Sequence, residues 1–298
     1  MIHIQFKKYI AAACALFMLT AVTAHAEDIQ IEPLAISQST PAGAAYYQYQ
    51  AEYQAAQYKY ASDNIYVACT PYELSTGGKY ILTHVVTNSG SQIEGILSYD
   101  TWGGERETAV DAASRTGAVL MINASYFDYG TGEPVGGRIA IANGYVQNDE
   151  VWTNGYEICL YDDGTLLTPN EGIPAGVLLS TGCKFTFGTG EDTLIQDYAC
   201  LPLKDVKWAS GTYPRCCIGM VRPCEYYIIT AGEYPYAHGI TLYDEQAILA
   251  SLGCSYARGL DGGGSATLVL NGELINSPAD TGTARKVIDF IGFFDTPY

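Results

Sequence analysis

Histidine and basic charge are scarce in this sequence. Its 298 residues hold four histidines and 15 Lys+Arg against 32 Asp+Glu, a formal charge of −17. A chain this acidic is excluded as a binder of duplex nucleic acid or of an anionic membrane surface, because both need a net basic face. Beyond the N-terminus no apolar run reaches membrane-spanning length. No Cys-x-x-Cys pair occurs, and only His84 and His238 lie beyond residue 26, so a thiolate–imidazole metal site is not encoded. No metal or other cofactor is expected. No Gly-x-Ser-x-Gly elbow is present, which sets aside a serine hydrolase. The glycine-rich segments lack both the Gly-Lys-Ser/Thr of a P-loop and the spacing of a dinucleotide fingerprint.

The N-terminus has a recognisable order. Lys7-Lys8 precede an apolar run from Ile10 to Leu19, and small residues follow as far as Ala24-His25-Ala26. That order predicts a secretory signal peptide over residues 1–26, cleaved after Ala26, and a secreted or extracytoplasmic product. The mature chain keeps eight cysteines: Cys69, Cys159, Cys183, Cys200, Cys216, Cys217, Cys224 and Cys254. An even number in an exported chain predicts disulfides of unassigned connectivity. On a strand, the adjacent Cys216 and Cys217 would face opposite sides and take different partners.

Residues 27–63 are biased to Tyr, Gln and Ala and read as an N-terminal arm, either a helix laying tyrosines on the domain or a loose leader. From residue 64 to 298 the pattern is that of one domain. Lys79–Thr87 is β-rich and bounded by Gly77-Gly78 and Asn88-Ser89-Gly90, which predicts a strand. Glu105–Arg115 has helical composition, with Ala109, Ala112 and Ala113 on one stripe and Gly117 as a stop. The continuous apolar run Ala118–Ile122 predicts a buried strand that delivers Asn123 to its end. Asn143-Gly144, Asp163-Gly164 and Asn271-Gly272 mark turns. Thr241–Leu252 has helical spacing and stops at Gly253. Together these predict an α+β fold: a single disulfide-bonded domain with a dominant mixed β-sheet core and a few helices.

The segment with most chemistry is Leu260-Asp261-Gly262-Gly263-Gly264-Ser265. It places a carboxylate beside backbone bare enough for close approach by a ligand, and successive glycines can offer N–H groups to an anion. With Gly239-Ile240-Thr241-Leu242, the helix to Gly253 and the following Ala266-Thr267, it closely resembles the phosphodiester glycosidase family. Glu107-Thr108-Ala109, Asn123-Ala124-Ser125-Tyr126-Phe127, Gly132-Glu133-Pro134, Pro214-Arg215-Cys216-Cys217-Ile218-Gly219 and Arg285-Lys286-Val287 resemble further family blocks in the same order. Ala124 and Ser125 stand where the family carries glycine.

The resemblance implies an exported hydrolase of a sugar-1-phosphate diester, releasing an N-acetylglucosamine-type sugar from a phosphorylated glycan such as a cell-surface exopolysaccharide. It implies Asp261 and Glu107 as the catalytic carboxylates. Substrate-binding roles fall to Asn123, Arg106, Arg215, Thr241, Gly262, Gly263, Gly264, Ser265 and Arg285. Guanidinium groups suit a singly charged diester through paired donors, and carboxylates suit an oxocarbenium-like state. Two other readings stay open: a non-catalytic glycan-binding protein on the same fold, and a glycosidase without a phosphate requirement. The partner in each case is a glycan or sugar phosphate; the oligomeric state is not encoded.

Overall fold

A computed structural model describes residues 36–131, 139–149, 157–170, 172–189, 192–233, 235 and 238–298. The signal-peptide reading and the Gly132-Glu133-Pro134 block lie outside these residues. Ile36–Tyr298 forms one unit, an α+β fold built on two large sheets.

The larger sheet has eight strands in the order Tyr58–Ala61, Ile65–Glu73, Lys79–Thr87, Glu225–Ala231, Arg215–Arg222, Tyr256–Leu260, Thr193–Gln196 and Ala199–Cys200. The second has five: Glu273–Leu274, Leu268–Leu270, Leu120–Asn123, Asp289–Phe293 and Ile93–Leu97. The mixture expected of the core is therefore one of sheets and not of strand directions, since every ladder among the described residues is antiparallel.

Side-chain alternation sorts the residues into layers. Ile65, Val67, Val85, Ile218 and Ile228 of the large sheet share one buried cluster with Leu120, Ile122, Leu268, Ile291 and Phe293 of the smaller. The intervening Cys217, Tyr227, Ile229 and Ala257 face the other way, against Leu242 and Leu249 of the helix Leu242–Ser251. On the far side of the five-stranded sheet, Met121, Val269 and Phe290 meet the alanine stripe of the helix Ala109–Thr116. Gly117 ends that helix at φ 76°, as the sequence predicts, but the helix starts at Ala109 and not Glu105, because Glu107–Thr108 pairs as a strand and Thr108 caps the first turn. Helix, sheet, sheet and helix thus stack as four layers.

Residues 36–63 belong to the same unit. The helices Pro41–Gln48 and Gln50–Ala55 lay Tyr46 and Tyr53 on Tyr66, Ala68 and Val86 of the large sheet. A three-stranded sheet (Leu166–Leu167, Glu157–Tyr161, Cys183–Gly188) sends Phe185 and Phe187 into the central core. Asn143 and Gly144 have φ of 53° and 74°, closing a hairpin between Ile139–Ala142 and Tyr145–Asp149.

The cysteines require a correction. Cys216 and Cys217 do face opposite layers, but all eight described cysteines are free thiols. Six of them are buried, two in each of three apolar clusters, where an unpaired thiol packs as a small apolar group.

Candidate active site

The chain crosses between the two large sheets at residues 261–267, leaving the strand Tyr256–Leu260 of one and entering Leu268–Leu270 of the other. The crossing is stitched to the neighbouring strand end. Asp261 N–H donates to Ala124 O at 2.9 Å. Asn123 Nδ2 donates to Asp261 O at 2.6 Å, and Thr267 N–H donates to Asn123 Oδ1 at 3.0 Å. Asn123 is 1% exposed and uses both ends of its amide in this way.

The turn needs its glycines for different reasons. A Cβ at Gly262 would come 2.6 Å from Pro214 O. Gly263 has φ +59°, and a Cβ at Gly264 would overlap the carboxylate of Asp280. Gly263 N–H donates to Pro214 O and Ser265 N–H to Gly262 O, so two amides of the turn are committed within the fold.

A cleft of about 310 Å³ opens over this turn. Asp261, 8% exposed, lies in its wall together with the three glycines, Arg215 and Arg285. Arg285 donates from Nη1 to Ser265 Oγ at 3.1 Å and pairs with Asp280 through Nη2. Arg215 is 3% exposed and donates to three main-chain carbonyls: Ile240 at 3.0 Å, Trp208 at 2.9 Å and Gly211 at 3.2 Å.

Other predicted residues sit behind or beside the cleft. Glu107 is 1% exposed and held by Arg115, whose Nε and Nη2 approach its oxygens at 3.1 and 3.0 Å, and by Tyr99 N–H at 3.0 Å. It does not line the cleft, but its strand Glu107–Thr108 pairs with Lys286–Val287, the two residues after Arg285. Arg106 lies over Phe127 and Tyr129, with Tyr129 also against Arg285 at 5.2 Å from the ring centre. Thr241 caps the helix Leu242–Ser251, its Oγ1 donating to Asp244 Oδ2 at 2.7 Å and accepting from Asp244 N–H at 3.0 Å.

Several cleft residues were not predicted. Glu245 is fully buried yet reaches the cleft wall, and burial, together with its charge, raises the Cys217 thiol well above its ordinary range. Its signal was readable: Leu242, Glu245 and Leu249 fall on one helical face, so a carboxylate occupies a core position. Asp280, Trp208, Tyr213 and Tyr126 also line the cleft, and no local pattern distinguishes them. Below the Asn123 strand end, buried Asp289 accepts from Ser125 N–H at 2.7 Å and Ser125 Oγ at 2.5 Å. Burial pushes the Asp289 carboxyl up to about 6, against the opposing effect of these bonds.

An antiparallel double-sheet fold with an aspartate on a glycine turn between its sheets defines a class, and comparison with known proteins agrees. A family model, phosphodiester glycosidase, matches residues 116–294, more than half of the chain. The protein therefore belongs to the phosphodiester glycosidase family. The SPbeta prophage-derived uncharacterized protein YomE of Bacillus subtilis (strain 168) is 34% identical over 189 residues, 62% of this chain and 29% of YomE. The chain thus spans less than a third of that relative's length.

Among solved structures, the catalytic domain of zebrafish N-acetylglucosamine-1-phosphodiester alpha-N-acetylglucosaminidase, auto-inhibited by its pro-peptide, superposes with a TM-score of 0.62. Identity is 16%, with 77% of this chain and 82% of that one covered. A hypothetical protein from Synechocystis gives a TM-score of 0.52 at 17% identity, over 78% and 62% of the two chains. These two share the fold.

Proposed function

We propose that this protein hydrolyses a glycosyl-1-phosphate diester, releasing an N-acetylglucosamine-type sugar and leaving a phosphomonoester on a second sugar of a phosphorylated glycan. The observation that carries the reading is Asp261 in a cleft wall beside a side-chain-free turn, with the Arg285 guanidinium on the flank of that turn. The Asp261 carboxylate stabilises positive charge as it develops at the anomeric carbon. Water adds to that carbon and gives up one proton to solvent, and the anomeric carbon–oxygen bond breaks with its electron pair passing to the phosphate. Arg285 and the turn hold the phosphate, an already stable leaving group that needs no proton. Arg215, its donors directed to main-chain carbonyls, shapes the cleft wall, and Asn123 fixes the Asp261 backbone. Glu107 acts from outside the cleft, through the strand Lys286–Val287 that directly follows Arg285.

Export fits the same reading. The 1–26 segment has the order of a signal peptide, and among the described residues no helix is long and apolar enough to cross a membrane.

The test is release of free sugar from N-acetylglucosamine-1-phospho-methyl-mannoside, with Asp261→Asn as control. Turnover that falls about 10²-fold or more in the variant supports the reading, being the scale of a lost catalytic carboxylate. Equal release from a phosphate-free glycoside would remove the phosphodiester requirement. Binding of the diester without release, unchanged by the substitution, would identify a glycan-binding protein instead.

A further inference from the structure

One wall of the cleft is unlike the rest. Trp208 and Tyr213 stack with ring centres 4.5 Å apart and planes 21° from parallel. Both line the cleft, and they remain 43% and 39% exposed. An exposed aromatic pair in a concave site offers apolar faces that water leaves readily.

The pair is built to stay in place. The Arg215 guanidinium lies 5.0 Å from the Trp208 ring centre and 5.3 Å from that of Tyr213, and its bonds to Trp208 O, Gly211 O and Ile240 O tie both ends of the segment to the large sheet. Tyr213 also exchanges backbone bonds with Ile240, at 3.3 and 3.1 Å. Gly211 is required beneath the ring, because a Cβ there would overlap Tyr213. Trp208 sits on the short helix Val206–Ala209, whose Asp205 cap accepts from Trp208 N–H at 3.0 Å.

The glycine turn separates this wall from the one that carries Arg285 and Asp280. Gly262 abuts Pro214, next to Arg215 and the aromatic pair, whereas Gly264 abuts Asp280 and Arg285. Asp261 immediately precedes the turn. A diester lying across the cleft with its phosphate toward Arg285 has its glycosyl ring on the opposite flank. We propose that Trp208 and Tyr213 form the subsite for that ring, the pyranose whose anomeric carbon is attacked, binding its C–H face by stacking. The assignment rests on the hydrolase reading for the identity of the attacked bond, but ring binding itself can be measured without turnover.

The experiment uses Trp208→Ala, Trp208→Phe and Tyr213→Ala in the full protein, with thermal melts confirming folding. On the diester above, Trp208→Ala raises KM about tenfold more than it lowers kcat, the pattern of lost ground-state binding, and Trp208→Phe restores most of the loss. In parallel, tryptophan fluorescence of the Asp261→Asn protein is titrated with the 1-phosphates of N-acetylglucosamine, glucose, galactose and mannose. A saturable change with at least one of them, lost when Trp208→Phe is added, supports the subsite even if no diester is turned over, in which case only the hydrolase reading fails. An unchanged KM in both alanine variants of an active enzyme overturns the subsite. So does the absence of a Trp208-dependent response to all four sugars.

Discussion

At the scale of single residues, the candidate site depends on one amide. Asn123 satisfies a buried carbonyl at Asp261 and a buried N–H at Thr267. Asn123→Ala leaves both without a partner, and an orphaned buried polar group costs about 1–3 kcal/mol. Urea denaturation should register a loss of that size, and sugar release should fall with it because the Asp261 backbone is no longer pinned. Normal turnover in a protein destabilised by that amount would show that the tie serves stability alone. The sequence placed Asn123 at a buried strand end, which is where it lies, but could not say which way its side chain turns. The amide is directed to backbone on both sides, and at 1% exposure Asn123-Ala124-Ser125 is a poor glycan acceptor. Glu107 shows the same limit. Its neighbours in sequence marked it, yet the partner that occupies it, Arg115, comes from the last turn of the following helix.

At the scale of elements, the two N-terminal helices are fastened to the large sheet by a buried histidine. His84 lies in the Lys79–Thr87 strand, with Nδ1 3.2 Å from Glu52 Oε1 on the helix Gln50–Ala55 and Nε2 3.4 Å from Glu225 Oε1 on the adjacent strand. Tyr227 stacks on its ring at 4.2 Å. Burial lowers the His84 pKa, but hydrogen bonds and charge from Glu225 and Glu52 outweigh it, and the net direction is upward. The His84 bond in turn holds Glu225 below its usual range. The raised histidine contributes stability that is complete below the free value of about 6.5 and is lost as pH rises through the folded pKa. The lowered Glu225 contributes above about 4.5 and fails in acid. The melting temperature should therefore fall as pH rises above about 6.5 in the native protein, with a shallower fall in His84→Gln. Parallel curves for the two would remove the clamp. The sequence showed helical potential around Tyr46–Tyr60 without a periodicity to settle it. Docking on Tyr66 and Val86 decided the matter, and a residue far along the chain supplied the lock.

At the scale of the whole molecule, six of the eight described thiols are buried. Burial pushes Cys69 and Cys254 up to about 12, which leaves almost no thiolate at neutral pH and makes them inert even where oxidants are present. Cys200 is exposed and Cys224 half-buried. Alkylation of the native protein should label Cys200 first, with the buried six reacting only after denaturation, as read by peptide mass spectrometry. The melting temperature should be the same with and without reductant. A drop on reduction would show that a disulfide forms after all.

What the sequence determined by itself was local and periodic. A β-rich composition between Gly77-Gly78 and Asn88-Ser89-Gly90 set the strand Lys79–Thr87. Gly117 and Gly253 ended the helices Ala109–Thr116 and Leu242–Ser251, and Asn143-Gly144 and Asn271-Gly272 took the positive φ their turns require. The ordered motifs around Asp261 were equally legible, because a glycine turn is written in consecutive residues. Tertiary structure alone decided what meets across the chain: that 261–267 bridges two sheets, that Glu245 and Asp280 share a cleft with Asp261, and that Trp208 and Tyr213 face it. The physical reason is that hydrogen bonding and φ/ψ preference act over a few residues. A cleft is made by side chains far apart in sequence, whose proximity is fixed only when the core between the sheets closes.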